Sequence, residues 1–245
     1  SINKSSLKDA ILIFGGGCTG EIVSNQGLIF TNHHCGYAAI AGASSIDHNY
    51  LKDGFYAYSK EQEIKSALTV QFLDRIVDVT KEVEEAFKGL SWTDRMNKTA
   101  EVYKLITDKL SDKDNGLSAR IYPMFKGNQF IMYVYKTYRD IRLVGAPPES
   151  VGKFGGDTDN WEWPRHTGDF SIFRVYATKD GKPADYSKDN TPLQPKHYLP
   201  VSIKGPKNGD FAMIYGYPGG TNRYETSFGI KLKVDIENPS LVDLR

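Results

Sequence analysis

The most constraining feature of the sequence is a short segment near its start that combines two apolar runs, a turn and two cysteines. Residues 21–23 and 28–31 have β character, and they flank an Asn-Gln-Gly turn at 25–27. The glycine of this turn tolerates the positive φ that a tight hairpin connection requires. The segment therefore predicts a β-hairpin. Cys18 and Cys35 then lie at nearly matching distances from the turn, one on each arm, and we expect them to form a disulfide.

The overall composition excludes some classes of partner. With 245 residues, the chain is long enough to bury a sizeable core. Its formal net charge of +1 gives no electrostatic reason to expect nucleic acid or an anionic membrane surface. Aromatic residues make up 12% of the chain, which suits strands and a peptide-binding surface better than a helical bundle. The near-neutral charge therefore argues against a nucleic acid partner, and since no apolar run reaches membrane-spanning length, we expect no membrane span.

The cysteines also indicate a compartment. The chain has two cysteines, both in the opening hairpin, and a disulfide between them requires an oxidising environment. No signal peptide begins the chain, yet residues 10–14 already have the pattern of a buried strand. We therefore expect a periplasmic or cell-surface protein, secreted through a signal peptide that is not present in this chain.

The rest of the chain predicts short strands interrupted by one helical region. Apolar residues recur at helical spacing within residues 80–113, which indicates a helical insertion. Short, closely spaced strands without a βαβ rhythm are typical of a barrel or a sandwich. The predicted strands lie at residues 10–14, 68–79, 119–126, 129–138, 139–144 and 170–176.

The segment Thr-Asn-His-His-Cys-Gly at 31–36 follows an apolar strand and has an earlier cysteine with which to pair. It resembles the histidine segment of chymotrypsin-like serine peptidases, where the general base lies just before a bridged cysteine. The triad aspartate of that clan opens an apolar strand, as Asp169 does before the alternating residues 170–176. The resemblance implies that His34 is the general base and that Asp169 orients it.

Other interpretations of these residues stay open. A zinc site from His33, His34, Cys18 and Cys35 is disfavoured, because two adjacent histidines rarely reach one metal and a Cys-x2–4-Cys pair is missing. A purely structural His-Cys pair under a loop is a second alternative. An aspartate before a strand is also an ordinary turn residue. We expect no cofactor and no metal.

Longer motifs are similar to one family of bacterial peptidases. They are Gly-Gly-Gly-Cys-Thr-Gly at 15–20, Thr-Asn-His-His-Cys-Gly-Tyr at 31–37, Leu-Val-Gly-Ala-Pro-Pro at 143–148, Asp-Thr-Asp-Asn-Trp-Glu-Trp-Pro-Arg-His-Thr-Gly-Asp-Phe at 157–170 and Tyr-Pro-Gly-Gly-Thr-Asn-Arg-Tyr at 217–224. Together they resemble the dipeptidyl aminopeptidase group that contains dipeptidyl peptidases seven and eleven. The resemblance implies a periplasmic or surface serine exopeptidase, a homodimer when full length, that releases dipeptides from peptides with free amino termini.

The same resemblance assigns a substrate site. By motif matching, Asn160 and Trp161 take the place at which the family grips the terminal amine of its substrate. Asn160 offers a carbonyl acceptor for that ammonium, and Trp161 offers an aromatic wall with a cation–π contact. The alternative is that Asn160 makes an Asx turn while Trp161 fills the mouth of the barrel.

One departure from the family concerns the nucleophile. The family's serine lies near the carboxyl end in a Gly-Asn-Ser-Gly-like segment, which is missing here. Ser44, Ser45 and Ser227 lack the flanking glycines that shape an oxyanion hole. We therefore expect an amino-terminal fragment that is inactive alone, with the remainder of the same polypeptide, a second barrel and a helical domain, as its partner. The alternative is a catalytically inactive peptide-binding module.

The expected fold class is mainly β, with a division into two parts. Residues 1–205 are expected to form a chymotrypsin-like six-stranded β-barrel with a helical insertion at about 80–113. Residues 206–245 are expected to begin a second, truncated barrel. Its first strands are predicted at 209–219 and 228–236.

Overall fold

The computed structural model describes residues 3–159, 162–220 and 224–244. Within these ranges eleven strands form one sheet in which every pairing is antiparallel. The strands are β1 (Ile11–Phe14), β2 (Cys18–Ile22), β3 (Leu28–Thr31), β4 (Phe55–Tyr56), β5 (Ile64–Lys65), β6 (Val70–Asp78), β7 (Leu117–Met124), β8 (Gln129–Tyr138), β9 (Asp140–Ala146), β10 (Ser171–Ala177) and β11 (Thr191–Pro192).

The strand pairings close into a ring. Strands β6, β1, β2, β3, β10 and β9 pair in that order. Strand β9 also pairs with β5, which leads along the chain into β6, while β8 runs into β9 through Arg139 alone and pairs with β6. If β5 and β6 are counted as one continuous strand, and β8 and β9 as another, the closed ring contains six strands. The predicted mainly β class and six-stranded barrel are confirmed.

Apolar side chains from alternate positions fill the barrel. Because successive side chains of a strand point to opposite faces, each strand contributes every second residue to the interior. The fully buried side chains of this core include Leu12, Phe14, Ile22, Ile29, Ile40, Val70, Ile141, Leu143, Phe173 and Val175. The hairpin predicted around residues 25–27 is present as β2 and β3, with Gly27 at φ 64°.

The predicted helical insertion is also present. It consists of α3 (Thr80–Ala86) and α4 (Trp92–Asp108), which pack on β7 and β8. A second apolar cluster joins the helices to these strands through Val83, Ile106 and Met132. The Ser91 side chain accepts a hydrogen bond from the backbone N–H of Asp94, which caps the first turn of α4.

The remaining helices are short. They are α1 (His33–Ala43), α2 (Tyr50–Asp53), α5 (Glu149–Gly152), α6 (Gly156–Asp159), α7 (Ser227–Leu232) and α8 (Asn238–Asp243), together with 3-10 turns at Leu7–Ala10, Lys60–Gln62 and Phe125–Gly127 and a π-helical turn at Lys233–Glu237. Among the described residues, no helix combines the length and the apolar character needed to cross a membrane.

The strands predicted at 209–219 and 228–236 are wrong. The first segment contains no strand, and the second lies in α7 and the π-helical turn that follows it. Alternating apolar residues select a strand only when a sheet buries one of their faces, and here Phe228, Leu232 and Ile236 are all exposed. Local signals favour the helix instead, because the Thr226 side chain accepts a hydrogen bond from the backbone N–H of Gly229. The division at residue 205 stays a prediction.

Candidate active site

The pairing of β3 with β10 brings two distant parts of the chain to one end of the barrel. Thr31 pairs with Ser171, so the residues just after β3 and just before β10 lie side by side. The Ser171 hydroxyl donates a hydrogen bond to the Asn32 carbonyl at 2.8 Å, which fixes this junction. His34 and Asp169 are placed next to each other by this register, although 135 residues separate them in sequence.

The two side chains form a hydrogen-bonded pair. Nδ1 of His34 lies 2.7 Å from Oδ2 of Asp169, and the backbone N–H of His34 donates to Oδ1 at 3.1 Å. The amide of Asn32 donates to Oδ2 at 3.2 Å and to the Asp169 carbonyl at 3.3 Å. The carboxylate is thereby held in one orientation. A carboxylate at Nδ1 keeps the proton of a neutral imidazole on that nitrogen, so Nε2 is the atom free to accept one.

The orientation of the pair leaves the histidine accessible. The side chain of His34 is 69% exposed and that of Asp169 is 23% exposed. In the described part of the chain, the side-chain hydrogen bond of His34 goes to Asp169. The arrangement suits a base that is oriented from the protein side and meets its reaction partner from the solvent side.

Asn32 is a part of the site that the sequence alone did not reveal. Asn32 is the N-cap residue of α1, where an asparagine side chain usually accepts a backbone hydrogen bond from the helix. Here its side chain makes no cap bond and reaches Asp169 instead. An asparagine between a strand and a helix is ordinarily assigned to capping, so its contact with the carboxylate depends on the register of β3 and β10.

The predicted disulfide is present. Cys18 and Cys35 are joined by an S–S bond of 2.04 Å, with their Cα atoms 6.1 Å apart. Cys35 lies in the first turn of α1 rather than on the second arm of the hairpin, so the bond ties β2 to the helix that carries His34. The sulfur atoms and a ring nitrogen of His34 lie within 4.8 Å of one another. Bonded sulfurs are not thiolates, so they offer zinc no ligands, and the disulfide argues against the zinc alternative.

A cleft of about 470 Å³ opens beside the pair. It is lined by Asn32, His33, His34, Tyr37, Gly152, Lys153, Gly156, Asp157, Arg165, Thr167 and Asp169. Asn160 and Trp161, the predicted amine-binding residues, lie outside the described residues. Asp157 and Arg165, which precede and follow these two residues in the sequence, both line the cleft.

Comparison with known proteins identifies the family. The sequence pattern that defines Peptidase S46 matches residues 1–245, and the chain belongs to this family. A dipeptidyl-peptidase 7 of Porphyromonas gingivalis is 49% identical over 247 residues, and an Asp/Glu-specific dipeptidyl-peptidase of Capnocytophaga gingivalis is 47% identical over 248 residues. Each match covers 100% of this chain and 35% of the relative, so the chain spans about a third of the length of these relatives.

Solved structures agree with this assignment. A crystal structure of Porphyromonas endodontalis DPP11 in complex with substrate superposes with a TM-score of 0.89 at 48% identity, covering 97% of this chain and 36% of that one. The same protein in complex with the dipeptide Arg-Glu gives a TM-score of 0.87 at 48% identity, covering 96% and 36%. The predicted resemblance to the dipeptidyl peptidase group is confirmed.

Proposed function

We propose that this chain supplies the general base and its orienting carboxylate to a serine dipeptidyl peptidase of the chymotrypsin clan. The observation that carries the proposal is the contact between Nδ1 of His34 and Oδ2 of Asp169 at 2.7 Å, with the carboxylate fixed by Asn32 and by the His34 backbone. The closed six-position barrel supports the clan assignment, because it holds the two residues at one end.

The proposed reaction is acyl transfer. A serine Oγ attacks the carbonyl carbon of the second peptide bond while Nε2 of His34 takes the hydroxyl proton. The same nitrogen then gives this proton to the leaving amine as the acyl-enzyme forms, and water repeats the sequence to release the dipeptide. Asp169 holds the imidazole in the required tautomer and stabilises the imidazolium that forms.

We place the nucleophile outside this sequence. The chain has no Gly-Asn-Ser-Gly-like segment, and its relatives are about three times as long as the region they share with it. The serine, the second barrel and the helical domain then belong to the remainder of the polypeptide, and the 245-residue chain alone hydrolyses no peptide. Release of dipeptides by the purified chain would contradict this assignment.

The proposed substrate is a peptide with a free amino terminus. Relatives named dipeptidyl-peptidase 7 and Asp/Glu-specific dipeptidyl-peptidase are equally similar to this chain, with identities of 48–49% and 47–49%. The proposal therefore concerns recognition of the amino terminus of the substrate and not a preference for a particular substrate side chain. Asn160 and Trp161 are proposed to bind the terminal ammonium.

A substrate comparison tests the amine site. In the full-length enzyme, Asn160→Ala is expected to raise KM and lower kcat/KM for substrates with a free amine, because it removes the amide carbonyl as an acceptor. Amino-terminally acetylated substrates are expected to stay poor for both forms. If the unmodified enzyme cleaves acetylated and free substrates equally well, the role given to Asn160 and Trp161 is wrong.

The disulfide supports an extracytoplasmic location. A bond between Cys18 and Cys35 persists in an oxidising compartment, so we propose the periplasm or the cell surface. From the family resemblance alone, we also propose a homodimer when the protein is full length. Fractionation of cells that express the natural protein tests the location. Recovery in the cytoplasmic fraction with both thiols reduced would contradict it.

Replacement of the base tests the proposed chemistry. In the full-length enzyme, His34→Ala is expected to remove nearly all activity, since triad members act as a unit. His48→Ala is the matched control, because His48 is an exposed histidine whose ring stacks on Tyr50 in a loop. Equal activity of the two variants would overturn the assignment of His34 as the base, whereas an unmodified full-length protein that cleaves no peptide would favour a peptide-binding module without catalysis.

A further inference from the structure

We propose that His33, the neighbour of His34, is a positioning residue that braces the loop bearing Asp169 against the helix bearing His34. The inference rests on the proposed roles of His34 and Asp169. The two adjacent histidines have opposite environments, since the side chain of His34 is 69% exposed whereas His33 is 1% exposed. His33 is thus a buried, titratable group that the acyl transfer itself does not use.

The ring of His33 holds both ends of the turn that contains α5. A Cβ added at Gly152 would lie 2.4 Å from Cγ and 2.5 Å from Cδ2 of His33, so the ring packs directly on the backbone there. Hydrogen bonding to the Pro147 carbonyl raises the pKa of His33. Nε2 has no hydrogen-bond partner among the described residues, so the donor is Nδ1.

From this turn, contacts continue to Asp169. The backbone N–H of Gly168 donates to the Val151 carbonyl at 3.0 Å. A Cβ added at Gly168 would lie 2.7 Å from Cγ1 of Val151, which shows how closely the two segments pack. Asp169 is the next residue after Gly168, while His34 is the next residue after His33. The same imidazole ring is therefore linked to both members of the pair.

Neutrality of the ring is part of this arrangement. Burial lowers the pKa of His33, which the nearby carboxylates of Asp169 and Glu149 only partly oppose, and His34 lowers it further. A neutral ring donates to Pro147 without placing a cation near the Asp169 carboxylate in addition to the imidazolium that forms at His34. An apolar side chain of similar size would leave the buried Pro147 carbonyl without its donor, which destabilises the turn.

Five variants separate positioning from general stability. His33→Leu keeps an apolar bulk but removes the donor, and His33→Gln keeps an N–H donor. Gly168→Ala disturbs the contact with Val151 without touching either histidine. His48→Leu is the control for a histidine replaced on the surface. Asp169→Asn supplies the reference state in which the carboxylate partner of His34 is lost.

The first readout is the tautomer of His34 in the 245-residue chain, from the nitrogen NMR shifts of its imidazole in the folded variants. The unmodified chain, His48→Leu and His33→Gln are expected to keep the proton on Nδ1. His33→Leu and Gly168→Ala are expected to move toward the shifts of Asp169→Asn. Loss of stability alone does not change the tautomer of a folded protein.

The second readout is catalysis by the full-length enzyme. His33→Leu is expected to lower kcat/KM by up to about 100-fold, mainly through kcat, because a small displacement of the base misaligns proton transfer. His33→Gln is expected to restore most of the rate. The inference is overturned if folded Gly168→Ala or His33→Leu retains the tautomer of the unmodified chain. If the tautomer shifts as expected but Asp169→Asn stays fully active, the proposed function fails while the positioning role stands.

Discussion

The barrel and the segment at residues 201–244 contain similar apolar residues but use them differently. Phe173 on β10 is completely buried, and its ring lies 4.9 Å from that of Phe14. Phe228 in α7 is 84% exposed, and Ile203 and Ile214 are almost fully exposed. The difference shows that an apolar pattern fixes a structure only where packing partners are present.

The largest effect expected from this comparison comes from two matched phenylalanine replacements. Phe173→Ala removes a ring from the barrel core and is expected to lower the free energy of unfolding by about 3–5 kcal/mol. Phe228→Ala is expected to change it by less than about 0.5 kcal/mol, because the ring is already exposed. Urea denaturation of the 245-residue chain measures both values. Equal losses would contradict the contrast between the two regions.

Ion pairs allow the same comparison with charged groups. The buried guanidinium of Arg142 lies 2.8 Å from Asp140 and stacks on Tyr176. Asp140→Ala is expected to cost about 3 kcal/mol, the low end for breaking a buried pair, because Arg142 keeps its hydrogen bond to the Ser187 carbonyl.

The matched replacement in the second region is Asp235→Ala. It breaks an exposed pair with Lys231 and is expected to cost less than about 0.5 kcal/mol. Thermal and urea unfolding at two salt concentrations compare the variants. The prediction fails if Asp235→Ala lowers the free energy of unfolding as much as Asp140→Ala does.

The disulfide is expected to stabilise the barrel alone. Cys18 and Cys35 are 17 residues apart, and closing such a loop contributes about 2–4 kcal/mol. The double variant Cys18→Ser, Cys35→Ser should therefore unfold at lower urea than the oxidised chain. Proteolysis within residues 224–244 should be unchanged, because the bond lies in the barrel and ties β2 to α1. Equal urea midpoints of the oxidised chain and the variant would contradict this prediction.

The smallest expected effect is a dependence of stability on pH. Because burial lowers the pKa of His33 in the folded state, the unfolded chain binds the proton more strongly. The stability that the folded chain gains by keeping His33 neutral is complete above about pH 6.5, the ordinary pKa of histidine. It is lost as the pH falls toward the pKa of His33 in the folded state. His33→Gln should flatten that decline in urea titrations, whereas His48→Gln should leave it unchanged. A decline that is identical in all three proteins would contradict the assignment.

Most of the barrel was predictable because its strands alternate in sequence and are buried on one face. Strands at 10–14, 68–79 and 129–138 were predicted to within a few residues of β1, β6 and β8. The same reasoning was wrong at 228–236, where Phe228, Leu232 and Ile236 alternate without a sheet to bury them. Alternation alone does not tell whether a pairing edge exists.

The candidate site was predictable only in part. His34 and Asp169 followed from motifs that resemble a peptidase clan, and the structure places them in contact. Asn32 and Gly152 were not predictable, because their roles depend on side chains that approach from distant segments. The sequence shows His33 next to the base, and its burial became visible only in the folded chain.

The most direct test of the central claim is the kcat/KM of Asp169→Asn in the full-length enzyme with a dipeptidyl substrate. The variant keeps the size of the side chain but no longer imposes the tautomer that leaves Nε2 free to accept a proton. We predict a decrease of about 10⁴-fold with the fold retained. A value within about tenfold of the unmodified enzyme, a loss of no more than about 1.4 kcal/mol in transition-state stabilisation, would contradict the assignment of His34 and Asp169 as a catalytic pair.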